Sequence, residues 1–304
     1  MDHPDQRRRP SERDELLPVR RGSQLGGRGD KPQDAGRSGC QRSRSLLTIG
    51  EDSPRGLILS RRNRRIADLA RLQRARHRKT AGRTLLEGPH LLSEALAADA
   101  EVLEVLALPE DAATQRLCQD HGVPLSRVSS QALARIADTR NPRGPVAVLS
   151  IPRNRPQGRD TLWLMVSDPG NAGALIRIAA AFGWDVATGL GTVDPWAPKV
   201  LRAAAGGNFR VAIGEAEQPP SEAMLVAATP RSGVPLADLG SLLDHSRQWW
   251  LVIGEESRGI PARHADRVDL WCSIPMPGGM ESLNAAAAGA IVCHRLSELR
   301  ASRT

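Results

Sequence analysis

Apolar and polar positions follow one another in blocks that predict strands separated by helices over most of the chain. Residues 81–150 alternate strand-like and helix-like pieces, namely TLLEGPHLLSEALAA, EVLEVLAL, DAATQRLCQDHG, VPLSRVS, SQALARIADT and GPVAVLSI. Further on, predicted strands are LWLMVS, FRVAI, MLVAAT, WWLVIG and LWCSIP, and predicted helices are ALIRIAAAFG, APKVLRAAAG, PARHADRV and ESLNAAAAGAIVCHRLSELRAS. In the second of these stretches, strands that alternate with helices predict a largely parallel sheet covered on both faces, and both stretches belong to the α/β class.

Breaks in this pattern divide the chain into four parts. Residues 1–55 are rich in Arg, Gly, Ser, Asp and Pro and are predicted to be a disordered basic tail. Residues 56–150 are predicted to form a small α/β domain, and residues 161–304 a second α/β domain. The polar segment 151–160 holds two prolines and is predicted to link them.

A basic helix is predicted at the start of the small domain. Within residues 61–79, helical spacing of i, i+3, i+4, i+7 is followed by Ile66, Leu69, Ala70 and Gln73. The prediction is a helix with a narrow apolar stripe and arginines on its other faces. Ser130 is the predicted N-cap of a later helix.

Positive charge is concentrated in the first quarter of the chain. The 304 residues carry a formal net charge of +8, but residues 1–80 hold 21 Lys or Arg and 10 Asp or Glu, against 21 and 24 in residues 81–304. This asymmetry predicts an anionic partner, above all nucleic acid, although a solvated tail that binds nothing remains the alternative. The candidate contacts are Arg61, Arg62, Arg64, Arg65 and Arg83.

Cysteines and apolar runs exclude several other classes. The four cysteines form no C-x-x-C pair and no His cluster has metal-ligand spacing, so neither a metal site nor a disulfide framework is expected. Cys272 is expected to face the core from a strand. No apolar run approaches the ~18 residues of a membrane helix, and residues 1–30 lack the apolar region of a secretory signal. We therefore expect a cytoplasmic protein without a membrane partner.

The first of three unusual loops after predicted strands is SDPGNAG, residues 167–173. Gly170 and Gly173 permit close backbone approach, Asn171 can hydrogen-bond at the turn, and the following helix start offers free N–H groups to an anion. Arg177 lies one turn further and suits a phosphate or a ribose hydroxyl. A capped helix start with a surface arginine is the alternative.

The other two loops are GEESRG, residues 254–259, and IPMPGGMESLN, residues 274–284. The first could hold ligand hydroxyls through Glu255 and Glu256, or could simply be a polar loop. The second contains Met276 and Met280, which predicts a buried loop that wraps a ligand. No G-x-G-x-x-G, G-x-x-x-x-G-K-[ST] or G-x-S-x-G motif is present, which disfavours a nucleotide-dependent oxidoreductase.

Together the segments DPGNAGALIRIAAAFG, LVIGEESRGI and IPMPGGMESLNAAAAGAI resemble, in order and spacing, the three motifs of the SpoU (TrmH-type) RNA 2′-O-ribose methyltransferases of the SPOUT superfamily. RTLLEGPHLL, at residues 83–92, resembles the ribosomal-protein-like substrate-binding domain found in many members. The resemblance implies a C-terminal trefoil knot, S-adenosylmethionine as cofactor and a homodimer with active sites near the interface. It also implies an RNA substrate, and the two-domain layout favours ribosomal (23S) over transfer RNA.

Site residues follow from the resemblance position by position. Cofactor contacts fall on Gly254, Ile274, Leu283, Thr229 and Met276, and the catalytic set falls on Arg177, Asn171, Glu256, Ser282 and Asn284. Arg177 would act as the base or as a phosphate clamp that lowers the pKa of the ribose hydroxyl. Glu255 departs from the family pattern, which has Asn there. An RNA-binding protein that keeps the fold without catalysis is the competing hypothesis.

Overall fold

The computed structural model describes residues 59–142, 144–230, 232–255 and 258–302. The predicted tail, residues 1–55, and Glu256 lie outside these described residues. The described residues belong to one compact unit, Glu51–Thr304, which contains two β-sheets. We call the body built on the four-stranded sheet the small-sheet domain and the body built on the seven-stranded sheet the large-sheet domain.

The small-sheet domain has the strand order β1-β4-β2-β3. Only β2 and β3 run parallel, and β4 is antiparallel to both of its neighbours. The strands are β1 Arg83–Glu87, β2 Val102–Ala107, β3 Leu125–Arg127 and β4 Val146–Ser150, and the helices are α1 Arg64–Ala70, α2 Ala75–Ala81, α3 Pro89–Ala97, α4 Ala112–Asp120 and α5 Ser130–Ile136. The chain thus alternates strands and helices as the sequence predicts, although Ser129 rather than Ser130 caps α5, by accepting a hydrogen bond from the Ala132 N–H.

Both faces of this sheet are buried by helices. Ile66 of α1 and Leu133 of α5 pack on one face, whereas Leu92 of α3 and Cys118 of α4 pack on the other. Alternation of side chains along each strand supplies apolar residues to both layers. Helices α1 and α5 therefore share one surface of the domain and α4 lies on the opposite one.

The single basic helix predicted over residues 61–79 is wrong. The segment is α1, a 3₁₀ turn Arg71–Gln73 and α2, because Arg74 has an extended backbone (φ −97°, ψ 130°) that breaks the helix. Gln73 does not continue an apolar stripe. Its Nε2 donates to the carbonyls of Ile136 and Ala137 at 3.1 and 2.8 Å, which anchors the turn to the end of α5.

The large-sheet domain has seven parallel strands in the order β7-β6-β5-β10-β8-β11-β9. The strands are β5 Thr161–Leu164, β6 Asp185–Thr188, β7 Ile213–Glu215, β8 Met224–Ala228, β9 Val234–Pro235, β10 Trp249–Ile253 and β11 Leu270–Ser273, and the helices are α6 Pro169–Phe182, α7 Pro198–Ala204, α8 Ala262–Ala265 and α9 Ala285–Ala301. The sequence pattern did not indicate β6 and β9, and it began β7 too early, because Phe209 belongs to a 3₁₀ turn.

Helices cover this sheet unequally. α6, α7 and α9 pack on one face over Leu162, Val226 and Leu251. The other face carries Trp163 and Trp250 and is covered by loop residues and the four-residue helix α8, with which Trp163 makes an edge contact at His264. The expected burial of both faces is present, but one layer is built of loops.

Gly173 lies where α6 crosses α7. A Cβ on Gly173 would lie 2.4 Å from Ala203 Cβ and 2.7 Å from the Val200 carbonyl oxygen. The prediction that this glycine allows close approach is correct, but the approaching backbone is α7. Gly173 therefore sets the spacing of the helices that carry the first loop.

Gly173→Ala is expected to destabilise the protein by about 1–3 kcal/mol, because the added methyl group overpacks the α6–α7 contact. Helix propensity alone would change stability in the opposite direction by about 1 kcal/mol. The sign of the change in urea unfolding free energy therefore checks the contact, and a stabilised variant would contradict it.

Candidate active site

The carboxyl ends of β8, β10 and β11 enclose a cavity of 340 Å³. Ligands of open parallel sheets bind at this edge, outside the strand ends. The walls come from three chain segments, namely residues 228–230 at the end of β8, residues 253–255 with 259–260 at the end of β10, and Trp271 of β11 with residues 274, 276, 282, 283, 285 and 288. Two of these segments contain the second and third loops singled out in the sequence.

The five residues predicted to contact the cofactor all line this cavity. They are Thr229, Gly254, Ile274, Met276 and Leu283. Ser282, predicted as part of the catalytic set, also lines it, together with Glu255. The lining is therefore mostly apolar, with one polar side chain from each of the three segments, namely Thr229, Glu255 and Ser282.

Gly254 is required by the packing of the second loop on itself. A Cβ on Gly254 would lie 2.5 Å from both the carbonyl carbon and oxygen of Gly259 and 2.9 Å from the Ile260 nitrogen. The Gly259 N–H donates to the Glu255 carbonyl at 2.8 Å, which closes the loop over this position. A side chain at 254 would push apart the segment that forms the cavity wall.

The third loop is only partly buried, contrary to the prediction of a buried loop. Ile274, Met276 and Leu283 are half-buried at its base, but Gly278, Gly279 and Met280 are exposed, with Met280 at 69%. The base of the loop contacts the cavity while its tip projects outward. Helix α9 begins directly after the loop, later than the sequence pattern indicated.

Asn284 and Asn171 connect the third loop to the first. Asn284 Nδ2 donates to Asn171 Oδ1 at 2.8 Å, and Asn284 Oδ1 accepts from the N–H groups of Ala286 and Ala287 at the start of α9. The structure therefore brings two residues of the predicted catalytic set into contact. One amide both caps a helix and joins two loops.

Asp168 is a site-forming residue that the sequence reasoning missed. Its Oδ1 accepts from the Asn171 N–H at 2.7 Å, so Asp168 is the N-cap of α6. Asp followed by proline at the first helical position is a sequence signal for a helix start, and it would have located this cap.

Arg177 lies on the exposed face of α6, six residues after Asn171, which corresponds to about 9 Å along a helix. Arg177 is not among the residues that line the cavity, and its side chain forms no hydrogen bond or ion pair within the described residues. The structure therefore groups the predicted cofactor contacts with Ser282 in one cavity, joins Asn284 to Asn171 beside it, and leaves Arg177 on the exposed face of α6.

Cys272, which follows the lining residue Trp271, and Glu255, which lines the cavity, are ionisable groups at this site. Burial raises the pKa of the Cys272 thiol to about 12, so the thiol stays protonated, and Cys272 faces the core as predicted. Glu255 is paired with Arg258 at 3.7 Å. Among the residues in the described ranges, no group of three or more His, Cys, Asp or Glu could hold a metal ion.

The five arginines predicted to contact RNA lie in different environments. Arg61, Arg62 and Arg64 are exposed beside α1. Arg65 is half-buried and donates to Glu104 Oε2 at 2.7 Å, and Arg83 is half-buried on β1. Arg135 of α5 joins the exposed group, since it donates to the Arg61 carbonyl at 2.6 Å.

No helix in the part of the chain that the structure describes is long and apolar enough to cross a membrane.

Two family models match the chain. The model of the SpoU rRNA Methylase family matches residues 162–294, and that of the MRM3-like substrate binding domain matches residues 63–147. The 23S rRNA (guanosine(2553)-2′-O)-methyltransferase RlmP of Bacillus subtilis is 30% identical over 249 residues, which are 79% of this chain and 98% of that protein. Human mitochondrial rRNA methyltransferase 3 is 33% identical over 50% of this chain and 39% of its own length.

Solved structures agree with these relatives. The crystal structure of an RNA 2′-O ribose methyltransferase superposes with a TM-score of 0.64 at 27% identity, and covers 81% of this chain and 100% of that chain. The structure of a TrmH-family RNA methyltransferase from Porphyromonas gingivalis superposes with a TM-score of 0.67 at 28% identity, and covers 76% of this chain and 95% of that chain. Fold, site and relatives define an RNA methyltransferase with the SPOUT fold. The chain belongs to the SpoU rRNA methylase family.

Proposed function

We propose that this protein transfers a methyl group from S-adenosylmethionine to a ribose 2′-hydroxyl of ribosomal RNA. The observation that carries the proposal is that all five predicted cofactor contacts line one cavity, and that Asn284, between the lining residues Leu283 and Ala285, is hydrogen-bonded to Asn171. The Bacillus relative, named for methylation of a 23S rRNA guanosine, supports ribosomal RNA as the substrate class.

The cavity suits the cofactor. Ile274, Met276 and Leu283 offer apolar surface to an adenine ring, while Thr229, Ser282 and the backbone beside Gly254 offer polar atoms. When bound, S-adenosylmethionine supplies an electrophilic methyl group on its sulfonium. The tight turn at Gly254 keeps the wall of the cavity close enough for backbone contacts.

Arg177 would act on the RNA rather than on the cofactor. A guanidinium remains protonated in proteins, so a phosphate clamp that lowers the pKa of the ribose hydroxyl suits it better than the part of a base. Glu256, which the family pattern adds to the site, stays a prediction, as does the trefoil knot.

A homodimer would complete the site. Phe182 and Ile291 are 36% and 40% exposed, and the Phe182 ring lies 5.8 Å from the His294 ring on α9, so they form an exposed apolar patch on α6 and α9. A second copy that covers this patch would contact α6, the helix that carries Arg177. Two half-sites would then make each complete active site.

RNA would be bound on the surface that α1 and α5 share. Changing Arg61, Arg62 and Arg64 together to Gln is expected to make the slope of log affinity against log salt shallower by about two to three, since each lost phosphate contact removes about 0.7–0.9. Filter binding from 50 to 300 mM salt measures the slope.

Arg116→Gln is the matched control, because Arg116 is exposed on α4 at the opposite face of the small sheet. A slope that changes equally in this control, or not at all in the triple variant, would place the phosphate contacts elsewhere.

The transfer itself is tested with tritiated S-adenosylmethionine and separate pools of ribosomal and transfer RNA from cells lacking the gene. Label in ribosomal RNA is the expected result. Label in transfer RNA alone would show that the substrate is transfer RNA and not ribosomal RNA. Cofactor binding without transfer to either pool, including assembly intermediates of the ribosome, would favour the non-catalytic RNA-binding alternative.

A further inference from the structure

The loop of Asp194, Pro195 and Trp196 accepts hydrogen bonds from side chains of both domains. From the small-sheet domain, Arg78 donates to Asp194 Oδ2 through Nε at 2.8 Å and Nη2 at 2.6 Å, and Thr84 Oγ1 donates to the Trp196 carbonyl at 2.7 Å. From the large-sheet domain, Asn208 Nδ2 donates to the Pro195 carbonyl at 2.9 Å. Three consecutive residues therefore receive contacts from β1, from α2 and from the turn after α7.

Arg78 is buried although it belongs to the basic segment. Its side chain is 3% exposed, and Nη1 donates to the carbonyls of Leu72 and Gln73 at 2.7 and 2.8 Å. The second carboxylate oxygen of Asp194 accepts from the Trp196 N–H at 2.9 Å. A buried ion pair with its hydrogen bonds satisfied has one favourable arrangement, because any slip leaves a buried charge uncompensated. Its burial also prevents Arg78 from contacting RNA.

Further contacts connect the loop of Asp194, Pro195 and Trp196 to α6, the helix that carries Arg177. Asn208 is 2% exposed and directly follows Gly207. A Cβ on Gly207 would lie 3.0 Å from Arg177 Cα, so the turn is packed against the α6 backbone at that residue. A continuous series of contacts thus runs from Arg78 through Asp194, Pro195 and Asn208 to Arg177.

We propose that Arg78 is a positioning residue for methyl transfer, which through Asp194 fixes the RNA-binding surface of the small-sheet domain relative to Arg177. The inference rests on the proposed function. RNA held on α1 and α5 reaches the active site only if the two domains keep a fixed geometry. A displacement of about 1 Å at the reacting atoms can reduce turnover a hundredfold.

Arg78→Lys tests this with the charge retained. Lysine offers a compact ammonium that cannot reproduce the four hydrogen bonds of the guanidinium. We expect kcat for RNA methylation to fall at least tenfold, with the Kd for RNA and for S-adenosylmethionine within twofold of wild type. Thr84→Val, which removes only the hydroxyl donor to Trp196, is expected to lower kcat in the same selective way and serves if Arg78→Lys does not fold.

Arg300→Lys is the matched control. Arg300 also pairs with an aspartate through two nitrogens, at 2.7 and 2.9 Å from Asp160, and donates to backbone carbonyls, but both residues of this pair belong to the large-sheet domain. Its kcat should stay within twofold of wild type after correction for folded fraction.

Unchanged kcat in a folded Arg78→Lys variant would overturn the inference, as would unchanged kcat in Thr84→Val if Arg78→Lys does not fold. So would an equal loss in Arg300→Lys, or a loss of RNA affinity in place of turnover. If the wild-type protein binds S-adenosylmethionine and RNA but transfers no methyl group, the proposed function fails and the inference falls with it.

Discussion

Arg177→Ala is expected to reduce methyl transfer by about a hundredfold to a thousandfold, the range for removal of one charge-stabilising donor from an active site. Its affinity for S-adenosylmethionine should stay within twofold of wild type, since Arg177 does not line the cavity. Isothermal titration and single-turnover methylation measure the two quantities separately.

Arg247→Ala is a useful comparison for this variant. Arg247 pairs with Asp269 at 3.6 Å and both residues belong to the large-sheet domain, so its loss removes an arginine and an ion pair without changing α6 or the contacts between the two domains. Turnover near wild type in Arg177→Ala, or an equal loss of turnover in both variants, would show that Arg177 has no specific part in methyl transfer.

Gly254→Ala is expected to weaken S-adenosylmethionine binding at least a hundredfold. The new methyl group would lie 2.5 Å from the Gly259 carbonyl carbon and oxygen, which is too close for non-bonded atoms. The second loop could accommodate it only by moving away from the cavity wall. The clash joins a Cβ atom, which no side-chain rotation moves, to backbone atoms of Gly259 and Ile260, so only a backbone movement can relieve it.

Gly278→Ala is the matched control in the third loop, since nothing lies within 4 Å of its built Cβ. It should bind S-adenosylmethionine like wild type. Normal binding by a folded Gly254→Ala variant would show that the cavity is not the cofactor site.

Arg177→Ala and Gly254→Ala together also test whether the protein acts as a homodimer. If each active site combines the cavity of one subunit with Arg177 of the other, co-expression of Arg177→Ala and Gly254→Ala chains produces mixed dimers with one intact site. Activity should return to about a quarter of wild type, because half of randomly paired dimers are mixed. No recovery in proven mixed dimers would mean that each chain forms its site alone.

The loops that form the site could be predicted from the sequence, whereas several local details of the fold could not. Loops after short apolar strands are recognisable from residue types alone, and three such loops carried the family resemblance. The cavity lining confirmed that the second and third loops meet, because parallel strands bring their carboxyl ends to one edge.

What the sequence could not predict depends on contacts between distant residues. Arg78 lies in a run of arginines, and nothing in that run distinguishes a buried ion-pair partner from exposed neighbours, because Asp194 is 116 positions away. The break at Arg74 likewise follows from Gln73 binding carbonyls at the end of α5. β6 has only two apolar residues, Val186 and Ala187, between Asp185 and Thr188, so no run of apolar positions distinguishes it from a loop.

The most direct test of the account is nucleoside mass spectrometry on ribosomal RNA methylated in vitro by the wild-type protein. We expect a methyl group on a ribose 2′-oxygen, recovered as an alkali-resistant dinucleotide and absent when Arg177→Ala replaces wild type. A methyl group on a base, or the same dinucleotide in equal yield from Arg177→Ala, would contradict it.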